Sequence, residues 1–136
     1  ANNQIKLSTL NEINKYKVGR VRNAVTGEVF DNIVKNTAID LINLEQCIQM
    51  LLIQRIDLVA GPEINIQYLL QQKFPEDKNR IIKIEPKIST QNIYCCVSKK
   101  SKHANAIMEI INQRIPELNQ SGEFKLLYEK YLPKLK

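Results

Sequence analysis

The chain has 136 residues, 43% of them hydrophobic and 25% charged, which suits one folded domain or one lobe of a larger protein. No stretch approaches the roughly 18 consecutive apolar residues that a membrane-spanning helix needs, so we expect no segment to cross a bilayer. The first residues lack the basic and apolar regions of a secretion signal, which leaves either a cytoplasmic protein or a mature chain whose signal was removed.

The net charge of +6 arises from 20 basic and 14 acidic residues. A basic excess of this kind raises the question of nucleic-acid binding. The lysines are scattered through helical patterns without aromatic stacking partners, so we interpret them as a solvated surface and expect no nucleic-acid partner. Much of the basic excess lies late in the chain, at Lys99, Lys100, Lys102, Lys125, Lys130, Lys134 and Lys136.

The three cysteines do not have the spacing of a metal site, and one histidine does little to complete one. Cys47 falls on the apolar positions of a helical pattern, whereas Cys95 and Cys96 would point to opposite faces of a strand. We favour buried free thiols and expect neither a metal nor a cofactor. A single bridge from Cys47 to Cys95 or Cys96 remains open in an oxidising compartment.

Short β-type runs alternate with helical stretches, which indicates a mainly parallel sheet covered by helices in the order βαβαβαβ. The first strand is predicted over residues 17–22. The helix after it extends to about residue 36, with Asn23 or Thr26 as its cap. A second strand follows at residues 39–42.

The next helix is predicted over residues 44–54. Asn43 and Gln46 resemble a capping box at its start, because an Asn in the cap position is followed three residues later by Gln. Its apolar face consists of Leu44, Cys47, Ile48, Leu51 and Leu52.

A third strand is predicted over residues 56–60, and Gly61 and Pro62 end it. Pro62 suits the first turn of a new helix over residues 63–72, and Glu63 complements the positive end of that helix dipole. The apolar residues assigned to this helix are Ile64, Tyr68, Leu69 and Phe74.

The remainder of the chain predicts two more strands, at residues 81–84 and 91–98, and then a helical tail. An amphipathic helix is predicted over residues 104–118. Gly122 suits a left-handed conformation after it, and residues 123–131 form the last predicted helix.

Three segments in order resemble the C-terminal part of bacterial family 3 extracellular solute-binding proteins, the polar amino-acid type of ABC transporter. These are VGRVRNAVTGEVF, LEQCIQMLLIQRIDLVAGPEINIQYLL and IYCCVSKKSKHANAIMEIINQRIPELNQSGEFKLLYEKYL. The resemblance implies an α/β fold of the type II periplasmic-binding-protein class, with a mainly parallel sheet flanked by helices. It also implies a clamp in which a small polar solute lies between two lobes.

In this family one lobe is a continuous insertion, here residues 16–89, and residues 1–15 and 90–136 would be the hinge and a remnant of the other lobe. The C-terminal helical tail would then belong to that other lobe, and its partner would be a missing N-terminal lobe or a second copy. The implied protein is not an enzyme. Its further partner is an ABC permease in the membrane, and its location is periplasmic or extracellular.

The resemblance also implies a ligand site. The solute carboxylate would meet backbone N–H groups of the turn that opens the lobe, and the ammonium would meet an acid after the third strand. The sequence departs from the family at both places: the usual Gly-Thr/Ser turn is replaced by Asn-Ala-Val, and the expected Asp is a proline. We therefore expect this chain alone to bind an amino acid weakly, if at all. The implied ligand-binding residues are Arg22, Asn23, Ala24, Val25, Thr26, Gly61, Pro62 and Glu63.

Each implication has an alternative. Glu63 would serve equally as a partner of its own helix dipole, and Arg20 and Arg22 are expected to face solvent. An enzyme of this fold, such as a prephenate or arogenate dehydratase-like protein, would need a general acid, and only Glu63 is available. His103 has no neighbour that suggests a catalytic pair. A sensory or vestigial binding module of the same fold is the main competing interpretation.

Overall fold

The computed structural model describes residues 5–90, 92 and 94–131, which form two compact units within residues 1–90 and 91–136. The first unit contains a three-stranded parallel sheet flanked by helices. The α/β class predicted from the sequence is therefore confirmed.

The sheet consists of β1 (Val18–Val21), β2 (Ile39–Leu41) and β3 (Leu58–Val59), in the spatial order β2-β1-β3. Both neighbours run parallel to β1, with Arg20 opposite Asp40 on one side and Gly19 opposite Val59 on the other. The three strands lie where the alternating pattern predicts them, although each is shorter than predicted. Because both outer strands run parallel to the central strand, the carboxyl ends of all three strands lie at one edge of the sheet.

The helices of this unit are α1 (Glu28–Ile33), α2 (Leu44–Leu52) and α3 (Glu63–Lys73). Two short 3-10 helices, Leu10–Lys15 and Lys78–Arg80, were not predicted. The first begins where the Glu12 carboxylate accepts hydrogen bonds from the N–H groups of Ser8 and Thr9, at 2.6 and 3.4 Å. These two donors hold the pKa of Glu12 below its usual value.

The sheet is covered on both faces. Successive residues of β1 point to opposite sides, so Val18 joins one core cluster, while a Cβ on Gly19 would meet the Cδ1 atoms of Ile56 and Leu41, at 2.5 and 3.3 Å. No side chain fits at Gly19, and this lets Ile56 pack directly on the central strand. The first core cluster contains the buried residues Ile13, Val18, Phe30, Val34 and Ala60, and the second contains Leu41, Cys47 and Ile56.

The predicted Asn43 cap of α2 is confirmed, whereas the return bond from Gln46 goes to the N–H of Ile42 and not to that of Asn43. Asn43 Oδ1 accepts a hydrogen bond from the N–H of Gln46 at 2.8 Å, and Gln46 Oε1 accepts one from the N–H of Ile42 at 2.9 Å. Cys47 and Ile48 on the predicted apolar face are buried. Local signals of this kind need no tertiary information, so they are legible in the sequence.

Two local predictions are wrong. The N-cap of α1 is Gly27, whereas Asn23 or Thr26 was predicted. Pro62 is the N-cap of α3 and lies before its first turn.

Leu70, which is 1% exposed, marks the side of α3 that faces the core, whereas Tyr68 is 49% exposed. Apolar residues lie around much of α3, so periodicity alone does not select the packed side.

The predicted strand at residues 81–84 does not form, and the segment has no regular secondary structure. Ile81 and Ile84 are half-buried while Ile82 is 54% exposed, so the segment packs through single side chains without joining the sheet. In the predicted strand at 91–98, Gln91 and Ile93 lie outside the described residues, and the others are in no strand.

The second unit contains two helices, α4 (Ala104–Gln120) and α5 (Glu123–Tyr131), which pack against each other. Gly122 separates them with φ of 78°, a left-handed conformation that favours glycine, and this was predicted. Neither helix has a buried residue. None of the helices described is long and apolar enough to cross a membrane.

The assignment of residues 1–15 to another lobe stays a prediction. Within this range, Ile13 is 5% exposed and belongs to the core cluster of Val18 and Phe30. Its 3-10 helix also contacts α1. The described residues before β1 therefore contribute to the same core as the sheet.

The packing of α2 can be tested with a matched pair of substitutions. Ile48 is 1% exposed and Ile53, five residues later, is 59% exposed. We expect Ile48→Ala to lower the free energy of unfolding by about 2–5 kcal/mol because it leaves a cavity, and Ile53→Ala to change it by about 0.5 kcal/mol or less. Urea denaturation followed by circular dichroism measures both. Equal effects would show that α2 does not face the sheet as described.

Candidate functional site

The two bends that carry the implied ligand residues lie at the same edge of the sheet. Since β1 and β3 are parallel neighbours, the bend after Val21 and the bend at Gly61 both follow carboxyl ends at that edge. From β1 the chain goes to β2 on one side and then, through α2, to β3 on the other. In open α/β sheets such a reversal of strand order leaves a crevice in which ligands bind.

Hydrogen bonds within the chain fix the first bend. The N–H of Arg22 donates to the carbonyl of Leu41 at 2.8 Å, and the N–H of Ala24 donates to the carbonyl of Val21 at 3.1 Å. Asn23 has φ of 60°, a left-handed conformation that asparagine tolerates better than most residues. Asn23 therefore has a structural role, because it reverses the chain at the end of β1.

The chain's own Asp31 occupies two backbone donors of this bend. Its Oδ2 accepts hydrogen bonds from the N–H groups of Thr26 and Gly27, at 3.1 and 3.2 Å. Gly27 has φ of 156°, and a Cβ there would lie 3.1 Å from the Cβ of Ser89, so only glycine fits without strain. The Thr26 donor, which the resemblance assigns to a ligand carboxylate, is thus satisfied internally.

Asp31 is itself held by Arg20. One guanidinium nitrogen of Arg20 lies 3.2 Å from Asp31 Oδ1, and its Nε lies 2.8 Å from Asp40 Oδ1. The Arg20 side chain is only 18% exposed, so the prediction that it faces solvent is wrong. Arg20, Asp31 and Asp40 connect β1, α1 and β2 in one ionic network.

This network was not predicted from the sequence. Arg20 and Asp40 are opposite each other in the parallel register, a relation that appears only once the strands are paired. Asp31 carried a weaker signal, since an acid in the first turns of a helix, four residues after Gly27, is placed to accept from the amides before the helix.

The second bend is close-packed. A Cβ on Gly61 would lie 2.7 Å from Cδ2 of Leu44, so α2 approaches the backbone there. The carbonyl of Pro62 accepts the N–H groups of Asn65 and Ile66, each at 3.1 Å. The first residues of α3 precede these two donors, and their N–H groups have no acceptor within the helix.

Glu63, the acid nearest Gly61, already has partners. Its Oε1 lies 3.2 Å from Nζ of Lys83 and 3.1 Å from Nε2 of Gln67. The Lys83 and Glu63 side chains are 54% and 49% exposed, and an exposed pair of this kind contributes about 0–1 kcal/mol. A competing cation can therefore replace Lys83 at small cost.

The rest of this edge exposes a cation and apolar groups. Arg22 is exposed, and its guanidinium makes no hydrogen bond or ion pair within the described residues. Val25 and Ile42 are 79% and 75% exposed. A shallow open depression adjoins the start of α2, lined by Ile42, Asn43, Glu45, Gln46 and Gln49.

The described residues contain no group of three His, Cys, Asp or Glu side chains that could hold a metal ion.

All three cysteines are free. Cys47 is buried, whereas Cys95 and Cys96 are exposed, contrary to the expectation that all are buried. Burial raises the pKa of the Cys47 thiol. His103 is exposed at the start of α4.

Comparison with known proteins gives no family: no family model, no curated protein and no solved structure matches the chain. Functional interpretation therefore rests on the residues and on the geometry of this edge.

Two aspartates that share Arg20 provide a test of the bend. Asp31→Ala removes one ion-pair contact and leaves the amides of Thr26 and Gly27 without their acceptor, while Asp40→Ala removes only an ion-pair contact. We expect Asp31→Ala to lower the free energy of unfolding by about 1–3 kcal/mol more than Asp40→Ala, the cost of unsatisfied donors. Thermal and urea unfolding of both variants measure the difference. A larger loss in the Asp40 variant would contradict the role given to Asp31.

Thiol modification tests the burial of Cys47. We expect iodoacetamide to add two groups to the native protein, at the exposed Cys95 and Cys96, and a third only after denaturation, because a buried thiol with a raised pKa reacts slowly. Intact mass spectrometry counts the adducts, and a Cys47→Ala control should accept two under both conditions. Rapid triple modification of the native chain would contradict the burial.

Proposed function

We propose that the chain is the solute-binding component of an ABC-type uptake system and that its first unit is a type II periplasmic-binding-protein-like lobe. The observation that carries this proposal is the parallel pairing of β3 with β1, which puts the bends after Val21 and at Gly61 side by side at the edge where the strand order reverses. The solute is small, polar and amino-acid-like.

The proposed contacts differ from those that the resemblance implies. Because Asp31 occupies the amides of Thr26 and Gly27, the solute carboxylate instead meets the exposed guanidinium of Arg22 and the first amides of α3. The helix α3 has 11 residues, enough to present a substantial positive end to an anion.

The solute ammonium meets Glu63, where it replaces the ammonium of Lys83. This exchange costs little, because both side chains are about half exposed. The solute carboxylate thus lies between Arg22 and the first amides of α3, and the ammonium lies beside Glu63, so each charge of a zwitterion has a partner of opposite sign. A ligand with only one of the two charges would match only one of these partners.

This unit supplies one half of a clamp. In the proposed protein the other half comes from a first lobe or from a second copy of the chain, and the closed complex is presented to a membrane permease. A periplasmic or extracellular location belongs to the same proposal. With one half alone, few groups surround the solute, so its affinity for this chain is millimolar or weaker.

A sensory or vestigial module of the same fold is the second candidate. The observation that favours it is the internal use of the Thr26 and Gly27 amides by Asp31, which leaves the first bend complete without a ligand. Such a module keeps the lobe and loses the affinity for amino acids.

Titration by nuclear magnetic resonance tests the proposal. When a polar amino acid is added to the isotope-labelled chain, we expect amide shifts at residues 22–26 and 61–64 that follow a single weak binding curve. The Arg22→Ala variant should weaken the binding about tenfold, the loss of one charge-assisted contact. Shifts are read from two-dimensional amide spectra.

The Arg55→Ala variant is the matched control. Arg55 is exposed and lies three residues before β3, toward the opposite edge of the sheet, so its loss should leave the titration unchanged. Equal effects of the two arginine substitutions, or shifts confined to other regions, would contradict the proposed site. No response to any of the polar amino acids would favour the vestigial module.

A further inference from the structure

Two cysteines of the second unit are neighbours in the sequence, and both are exposed free thiols. These are Cys95 and Cys96. A free cysteine ordinarily packs as a small apolar residue, as the buried Cys47 does in the second core cluster. Neither member of the exposed pair belongs to a core cluster of the described residues. Packing therefore does not account for two thiols at this place in the chain.

Secondary structure does not hold the backbone that carries the pair. Residues 94–98 are in no helix or strand, and the peptide groups of Cys95 and Cys96 make no hydrogen bond with other described residues. In a paired strand the two side chains would be fixed on opposite sides of the sheet. Because no ladder fixes them here, rotation about the φ and ψ angles can bring both sulfurs to one side.

A direct disulfide between these neighbours has unfavourable geometry. The peptide bond that joins them is not among the cis bonds of the described chain, so their Cα atoms lie about 3.8 Å apart. An ordinary disulfide joins Cα atoms that are about 4.4–6.8 Å apart. An atom placed between the sulfurs enlarges the ring and, with bonds of about 2.3 Å as in a zinc thiolate, lets the sulfurs lie about 3.7 Å apart. The pair therefore suits a bridging atom better than a direct bond.

The surroundings of the pair select the kind of atom. Thiolates prefer soft partners, but zinc takes four ligands, and the described residues hold no group of three His, Cys, Asp or Glu side chains. Residues 86–108 contain no Asp or Glu, and Lys99, Lys100 and Lys102 follow the pair closely. This positive stretch repels a divalent cation. Trivalent arsenic reaches a protein as a neutral oxide or hydroxide, and two thiols with one further substituent complete its bonding.

We propose that Cys95 and Cys96 form a dithiol site for trivalent arsenic. When the pair captures an oxide of the type R–As=O, two As–S bonds form and the two S–H bonds break. Both protons leave with the oxide oxygen as one molecule of water. Arsenic stays trivalent and keeps its substituent R, so the step needs no oxidant and no reductant.

Phenylarsine oxide tests this site in the full chain, kept reduced and free of oxygen. We expect one probe for each chain, seen by intact mass spectrometry as a gain equal to the probe less one water. Cys95→Ser and Cys96→Ser should each weaken binding about hundredfold or more, because the second As–S bond can no longer form within the same chain. Competition with dithiothreitol measures the affinity of each variant.

The matched control is Cys47→Ala, which removes the buried thiol and keeps the exposed pair. It should bind the probe as the original chain does, and circular dichroism verifies that each variant is folded. Full binding by either serine variant would overturn the inference, and so would a loss of binding in the Cys47 variant. A complex of two chains for each arsenic would also overturn it, because arsenic would then join different molecules.

Protection from alkylation tests the choice of atom. We expect arsenous acid to protect both exposed thiols from iodoacetamide, whereas Zn²⁺ at the same concentration should leave them reactive. Equal protection by Zn²⁺ would show that the site holds a divalent metal and that the arsenic inference is wrong. Capture by the thiols does not involve Arg22, so Arg22→Ala should leave it unchanged. This inference and the proposed solute site can therefore fail separately.

Discussion

The carboxylate of Asp31 is the contact on which the candidate site depends. One of its oxygens accepts the amides of Thr26 and Gly27, and the other faces Arg20, which also contacts Asp40. Through these contacts a six-residue helix, two strands and the bend between them become one rigid assembly. Without Asp31 the amides would have to find water or a foreign anion.

This arrangement changes where a ligand charge can be accommodated. A bend whose amides are already satisfied holds its shape in the absence of ligand, but it has fewer donors to offer. The remaining complementary groups are the exposed guanidinium of Arg22 on one side and the weakly paired Glu63 on the other. The edge therefore favours a zwitterion lying across β1 and β3 over an anion held within the bend.

The sequence predicted those parts of the fold that local chemistry determines. Asn43 caps α2 as predicted, Gly122 takes its left-handed conformation, and the three strands lie where alternation puts them. Relations that depend on strand pairing were missed, such as Arg20 beside Asp40. For α3 the apolar residues are too evenly distributed to reveal that Leu70 faces inward. That the bends after Val21 and at Gly61 share one edge of the sheet follows from the parallel register of β1 and β3, which strand pairing alone reveals.

The distribution of burial has a thermodynamic consequence. Every buried side chain among the described residues lies at or before Leu70, and α4 and α5 have none. The heat-capacity increment of unfolding, which follows the apolar area that becomes hydrated, must then originate mainly in the first unit. The pair of helices α4 and α5 contributes little cooperativity of its own, so its helices fray over a broad temperature range while the sheet melts in a single sharp transition.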